Sequence, residues 1–123
     1  TVNNTGTLEI DAGITLANTV TVNAGGTIAA SGASLGSLVV DGGTVSVNLA
    51  NGALAVSGTV NLANATLNFT GTLDEEPVTL LTAGTSLTGT FATVNNQPPY
   101  STLRYIDDTV VLAPDLPTVI IVK

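Results

Sequence analysis

The chain contains no cysteine, histidine, methionine or tryptophan, and it has only two Phe and two Tyr among 123 residues. Without cysteine there is no disulfide scaffold and no thiol chemistry. Zinc sites need His or Cys, and a Ser or Thr nucleophile needs a base, whereas the one lysine here is the last residue, Lys123. We therefore predict that the protein is not an enzyme and binds no cofactor.

Carboxylates are the remaining candidates for catalysis or metal binding. Most of them are immediate neighbours: Asp74, Glu75 and Glu76 in one group, and Asp107 and Asp108 in another. The two carboxylates of a glycosidase face each other across a substrate, about 5–10 Å apart, so adjacent ones indicate solvated charge or protection of a sheet edge. Calcium needs several converging oxygen ligands. Asp11 and Asp41 stand alone, which favours structural turns.

Positive charge is also scarce, with two Lys and Arg against nine Asp and Glu and a net charge of −7. So few cations argue against binding nucleic acid and against an anionic membrane surface. The longest apolar run covers residues 119–122, far short of the roughly 20 residues that span a bilayer, so no membrane insertion is expected. Because the chain lacks an initiator methionine, we predict a processed extracellular or cell-surface protein whose signal peptide has been removed.

A short phrase, Gly-Thr followed by alternating apolar residues, recurs through residues 6–73. Its glycines are Gly6, Gly26, Gly43, Gly58 and Gly71, separated by 20, 17, 15 and 13 residues. A recurring unit of about this length is typical of stacked repeat architectures. The shrinking period predicts a tapering or irregular coil rather than an ideal array.

Three- to five-residue runs of alternating Val, Leu or Ile, bounded by Asn, Asp, Gly and Ser, indicate short β-strands. Side chains this small suit a narrow core, so the pattern favours an all-β solenoid of three to four turns. An antiparallel β-sandwich stays the alternative, although it usually has longer strands and bulkier residues. In stacked turns, four asparagines could form amide ladders: Asn18, Asn23, Asn51 and Asn64.

The later part of the chain resembles a known family. The segment V-T-L-L-T-A-G-x-x-L-x-G-T-F-x-x-V beginning at Val78, followed by Leu103-Arg104-Tyr105 and the run D-D-T-V-V-L from Asp107, is similar to the C-terminal end of bacterial autotransporter passengers and to autotransporter-associated strand-repeat proteins. The resemblance implies a short right-handed parallel β-helix, displayed at the cell surface and closed by an irregular C-terminal cap. It carries over no catalytic residues. Residues 114–123 are too few for the translocator barrel that autotransporters need, so we expect either an excised passenger or a coil reused in a stand-alone exported protein.

These patterns divide the chain into solenoid turns (1–73), a closing segment of the same domain (74–113) and a detached apolar strand (114–123). The last segment needs burial, either against its own solenoid or in the sheet of a neighbouring copy. The candidate assembly residues lie at the two termini: Thr1, Val2, Thr118, Val119, Ile120, Ile121 and Val122.

Two functions remain open. The first is a structural protein that assembles end to end into a fibre, as a homo-oligomer or homopolymer, through strand addition by the tail. Deleting residues 115–123 is then expected to abolish filaments. The second is an adhesin-type module, an excised passenger that contacts a surface glycan or host ligand. Ice binding by threonine pairs such as Thr5/Thr7 and Thr19/Thr21 is a remote variant, since later turns do not repeat them.

Overall fold

The computed structural model describes residues 6–73 and 76–115. Within those residues the protein is all-β, with thirteen strands and no helix. The strands are β1 (Thr7–Glu9), β2 (Thr15–Asn23), β3 (Thr27–Ala29), β4 (Ser34–Asp41), β5 (Thr44–Asn48), β6 (Leu54–Val56), β7 (Thr59–Ala63), β8 (Ala65–Thr70), β9 (Val78–Ala83), β10 (Ser86–Thr88), β11 (Phe91–Asn95), β12 (Ser101–Ile106) and β13 (Thr109–Pro114). The described chain contains no helix long and apolar enough to cross a membrane.

The strands form two sheets, and the chain alternates between them. A five-stranded parallel sheet has the order β1-β3-β5-β8-β11, and an eight-stranded mixed sheet has the order β10-β7-β4-β6-β9-β13-β12, with β2 beside β4. The fold of the chain includes one curled half-barrel. We call each run through the parallel sheet and then the mixed sheet a pass: β1–β2 is the first pass, β3–β4 the second, β5–β7 the third and β8–β10 the fourth.

Strand register stacks equivalent residues of successive passes. In the parallel sheet Thr7, Thr27, Thr44 and Thr66 form one column, so the offsets along the chain are 20, 17 and 22 residues. The coil is therefore irregular, one of the two predicted forms, and it does not taper. The spacing of the phrase shrinks because its last two copies belong to other columns. Gly58 directly precedes β7, a strand of the mixed sheet, and Gly71 follows the end of β8.

The core consists of apolar columns next to the threonine column. Ile28, Val45 and Leu67 stack in register and are almost fully buried, because alternation along each strand turns every second residue inward. In the mixed sheet, Leu38, Val40, Val60 and Leu62 repeat this arrangement. The antiparallel sandwich does not fit these pairs: neighbouring passes pair in parallel, and antiparallel pairing joins only β13 to β9 and to β12 among the named strands.

The end of the described chain is a hairpin. Strand β13 pairs antiparallel with β9, and β12 pairs with β13. Val110 and Leu112 of β13 are completely buried. The hairpin thus covers β9, one of the two mixed-sheet strands of the fourth pass. The predicted detached strand of residues 118–122 lies outside the described residues.

Among the residues predicted to form an asparagine ladder, Asn23 is the one with a strand partner in register. Asn23 lies in register with Asp41, not with another asparagine, and Asn64 has a positive φ of 50° in the turn after β7. An amide pair forms instead between Asn96 and Asn68, whose Nδ2 and Oδ1 atoms are 2.7 Å apart. The turn function predicted for Asn64 is confirmed, since asparagine tolerates the left-handed region.

Candidate functional site

The first pass leaves apolar side chains incompletely covered. Leu8, Ile10 and Leu16 are only half-buried, and Ile14 is 53% exposed. We call these four residues the first-pass face. In the same columns of the second pass, Ile28 and Leu35 are at most 2% exposed, so burial in these columns becomes complete only at the second pass.

Strand β1 also has an open backbone side. It is the terminal strand of the parallel sheet, with β3 as its one partner among the described residues. The Gly6 C=O accepts from Thr27 N–H, and Ile10 N–H donates to the Ala29 C=O, both at 2.9 Å. Because bonds in a parallel ladder alternate between the two sides of a strand, the backbone groups of Thr7 and Glu9 face away from β3. This edge therefore has the geometry to accept another strand.

At the opposite end, side chains of the hairpin bond backbone donors of the last strands. The Tyr105 hydroxyl accepts from the Phe91 N–H at 2.9 Å, and Asp108 Oδ1 accepts from the Leu87 N–H at 3.1 Å. The Asp108 C=O also accepts from the Ala83 N–H at 2.8 Å. Hairpin groups thus accept from one backbone donor in each of β9, β10 and β11, and for β10 and β11 the acceptors are side chains. The two ends of the described fold are chemically different.

The acidic neighbours have separate places in this arrangement. Asp107 has a positive φ of 53° at the exposed tip of the hairpin, whereas Asp108 is half-buried and bonds the backbone as described above. The expectation that such neighbours protect a sheet edge is therefore confirmed for Asp108. Asp74 and Glu75 lie outside the described residues.

A polar cleft of about 310 Å³ lies on the outer surface, where strands of the parallel sheet end. Its lining includes the carboxylates of Glu9 and Asp11 and the side chain of Asn51. Ser31 is the buried polar residue of its wall, and its Oγ accepts from the Asn48 N–H at 2.8 Å. Within the described chain no three residues of the types His, Cys, Asp and Glu group closely enough to hold a metal ion.

The assembly residues predicted from sequence cannot be placed. Thr1, Val2 and the stretch Thr118, Val119, Ile120, Ile121 and Val122 all lie outside the described residues. Sequence reasoning missed the first-pass face and the capping function of Tyr105. The signal for the second was present: Tyr105 is one of four aromatic residues, and it falls inside the segment that resembles a passenger terminus.

Comparison with known proteins adds no relative. No family model, curated protein or solved structure matches the chain. Support for a function therefore comes from the two unequal ends of the fold, the outer cleft and the sequence.

Proposed function

We propose that the two sheets are walls of a short right-handed parallel β-helix. The support is the return of the chain to the parallel sheet once in every pass and the in-register stacking of successive passes. A strand that returns in parallel to the same sheet does so by a right-handed connection in about 98% of cases. The hairpin of β12 and β13 then corresponds to the cap implied by the resemblance to autotransporter passengers.

The function that this geometry supports best is structural: an extracellular or cell-surface protein that assembles end to end into a fibre. The observation that carries the proposal is the difference between the ends: the first-pass face is apolar and incompletely covered, whereas hairpin side chains bond backbone donors at the other end. Repeat proteins normally cover their terminal units with polar caps. A head-to-tail contact between unlike ends does not close on itself and builds a filament.

The test is to charge the first-pass face. We expect Ile14→Lys to prevent filaments, because a lysine replaces an exposed isoleucine on the surface that would be buried. Ala50→Lys is the matched control: it adds the same charge at an exposed turn residue of the third pass. Negative-stain microscopy and light scattering measure assembly. Monomers of the unmodified protein at high concentration would overturn the proposal.

The alternative function is an adhesin-type module, and the polar cleft is the observation that favours it. The cleft presents carboxylates, hydroxyls and amides on the side of the sheet, where a glycan could bond to several groups at once. Nuclear magnetic resonance with a panel of surface glycans separates the two functions. Resonance shifts confined to Glu9, Asp11, Ser46 and Asn48, in a protein that forms discrete particles, support adhesion. Filaments in which no glycan shifts these resonances support the structural function.

A further inference from the structure

We propose that the tail of one copy, residues 116–123, adds as a parallel strand to the open side of β1 in the next copy, with Thr118 beside Thr7. This inference rests on the proposed function, because it names the contact that would join the units of the fibre. The site is the edge of β1 together with the first-pass face, and the partner is a second copy of this chain.

The tail carries the same phrase that builds the passes. In the parallel sheet the pattern Thr-apolar-x-apolar occurs in four successive strands: Thr7-Leu8-Glu9-Ile10, Thr27-Ile28-Ala29-Ala30, Thr44-Val45-Ser46-Val47 and Thr66-Leu67-Asn68-Phe69. The tail repeats it as Thr118-Val119-Ile120-Ile121. In this register Val119 lies beside Leu8 and Ile121 beside Ile10. The half-buried Leu8 and Ile10 thus each gain an apolar neighbour.

Strand β1 is the better acceptor of the two first-pass strands. Its inward residue Leu8 and the following Ile10 are half-buried, whereas Val20 and Val22 of β2 are already 4% and 0% exposed. Burial of apolar surface drives strand addition, so the larger gain lies at β1. The outward groups of Thr7 and Glu9 supply the backbone hydrogen bonds.

The distance along the sheet favours a second copy over the tail's own molecule. The chain leaves the described fold at Asp115, next to β13, and β13, β9, β6, β4 and β2 follow one another across the mixed sheet. At about 4.8 Å per neighbour, the first pass lies about 19 Å from β13, and its open side about 24 Å. From Asp115 to Thr118 the chain spans at most about 11 Å. In a head-to-tail stack, by contrast, the hairpin of one copy lies against the first pass of the next.

Cysteine trapping tests the contact, since the natural chain has no cysteine. In the proposed register Glu9 lies beside Ile120, with their Cα atoms about 4.8 Å apart, within the range that a disulfide bridges. We expect the full chain with Glu9→Cys and Ile120→Cys to give a ladder of covalent oligomers on oxidation, which a reductant removes. Thr27→Cys with Ile120→Cys is the matched control. It places the first cysteine in the interior strand β3, so no ladder is expected.

Two outcomes would overturn the inference while leaving the fibre intact. A ladder from Thr21→Cys with Ile120→Cys, and none from the Glu9 pair, would place the tail on β2. An intramolecular disulfide at monomer mass, with no ladder, would show that the tail pairs within its own molecule.

A second measurement separates this inference from the fibre itself. A synthetic peptide of residues 116–123 is added to the full chain carrying Val119→Asp and Ile121→Asp, whose own tail cannot compete. We expect backbone amide shifts at Thr7–Glu9. If these shifts occur but the natural chain forms no fibre, the contact is real and the fibre proposal is wrong. If millimolar peptide shifts no amide of the first pass, the contact is overturned.

Discussion

The phenol oxygen of Tyr105 accepts a hydrogen bond from the backbone N–H of Phe91, at 2.9 Å. The donor is the first residue of β11, and the acceptor belongs to β12, the outer strand of the hairpin. A backbone donor of β11, the last strand of the parallel sheet, thereby bonds to a side chain from the mixed sheet. This contact shows how the fold closes one end without adding another strand.

Removing that hydroxyl is expected to loosen the closed end. Tyr105→Phe deletes one acceptor and keeps the ring, so the free energy of unfolding should fall by about 1 kcal/mol. Urea unfolding followed by far-UV circular dichroism measures the change. Tyr100→Phe is the control, because Tyr100 is 84% exposed, and it should alter the stability by less than about 0.5 kcal/mol. Equal effects of the two substitutions would contradict the capping function.

The Asp108 side chain makes the second cap contact, to the Leu87 N–H. Asp108→Ala removes this charged acceptor, and we expect a loss of about 1.5 kcal/mol. Amide hydrogen exchange at Leu87 should become faster by about tenfold, since β10 loses protection on that side. Asp107→Asn is the control: it changes the adjacent exposed position and keeps a residue type that tolerates positive φ. Unchanged exchange at Leu87 in the Asp108 variant would refute the assignment.

The strands were largely predictable from the sequence, because alternation and turn residues are local signals. The phrase at Gly6, Gly26 and Gly43 begins successive strands of one sheet, as a repeat should. Gly58 begins a strand of the other sheet, and the identical phrase gave no hint of that. Which column a strand joins depends on the length of each pass and on turn geometry, and neither follows from a four-residue pattern.

The candidate site was less predictable. The contact of Tyr105 with Phe91 joins residues that are distant in the chain, and the acceptor is the tip of a side chain. Patterns of hydrophobicity assign Tyr105 to a strand and go no further. Incomplete burial of Leu8 and Ile10 was equally invisible, because the same residue types in the next pass are fully covered.

Close stacking of the passes predicts a strict requirement at Gly36. A Cβ there would collide with the backbone carbonyl oxygen of Ala17 in the first pass. Gly36→Ala should cost about 3 kcal/mol, because paired strands cannot separate without losing ladder bonds. Gly52 provides the contrast: its φ is +86°, and nothing lies within 4 Å of an added Cβ. Gly52→Ala should therefore cost only the backbone strain, about 1 kcal/mol. Chemical denaturation ranks the two, and the reverse order would contradict the stacking.

The last prediction compares two leucines of one apolar column. Leu67 in β8 is completely buried, and Leu8 in β1 is half-buried at the open end. Leu67→Ala leaves a cavity and should cost about 3 kcal/mol. Leu8→Ala should cost about 1 kcal/mol in the dissociated protein, because less surface returns to water. In the assembled state the cost at Leu8 should rise toward that at Leu67, since a neighbouring copy would cover it. Denaturation at low and high protein concentration makes this comparison, and a concentration-independent cost at Leu8 would show that nothing covers the first-pass face.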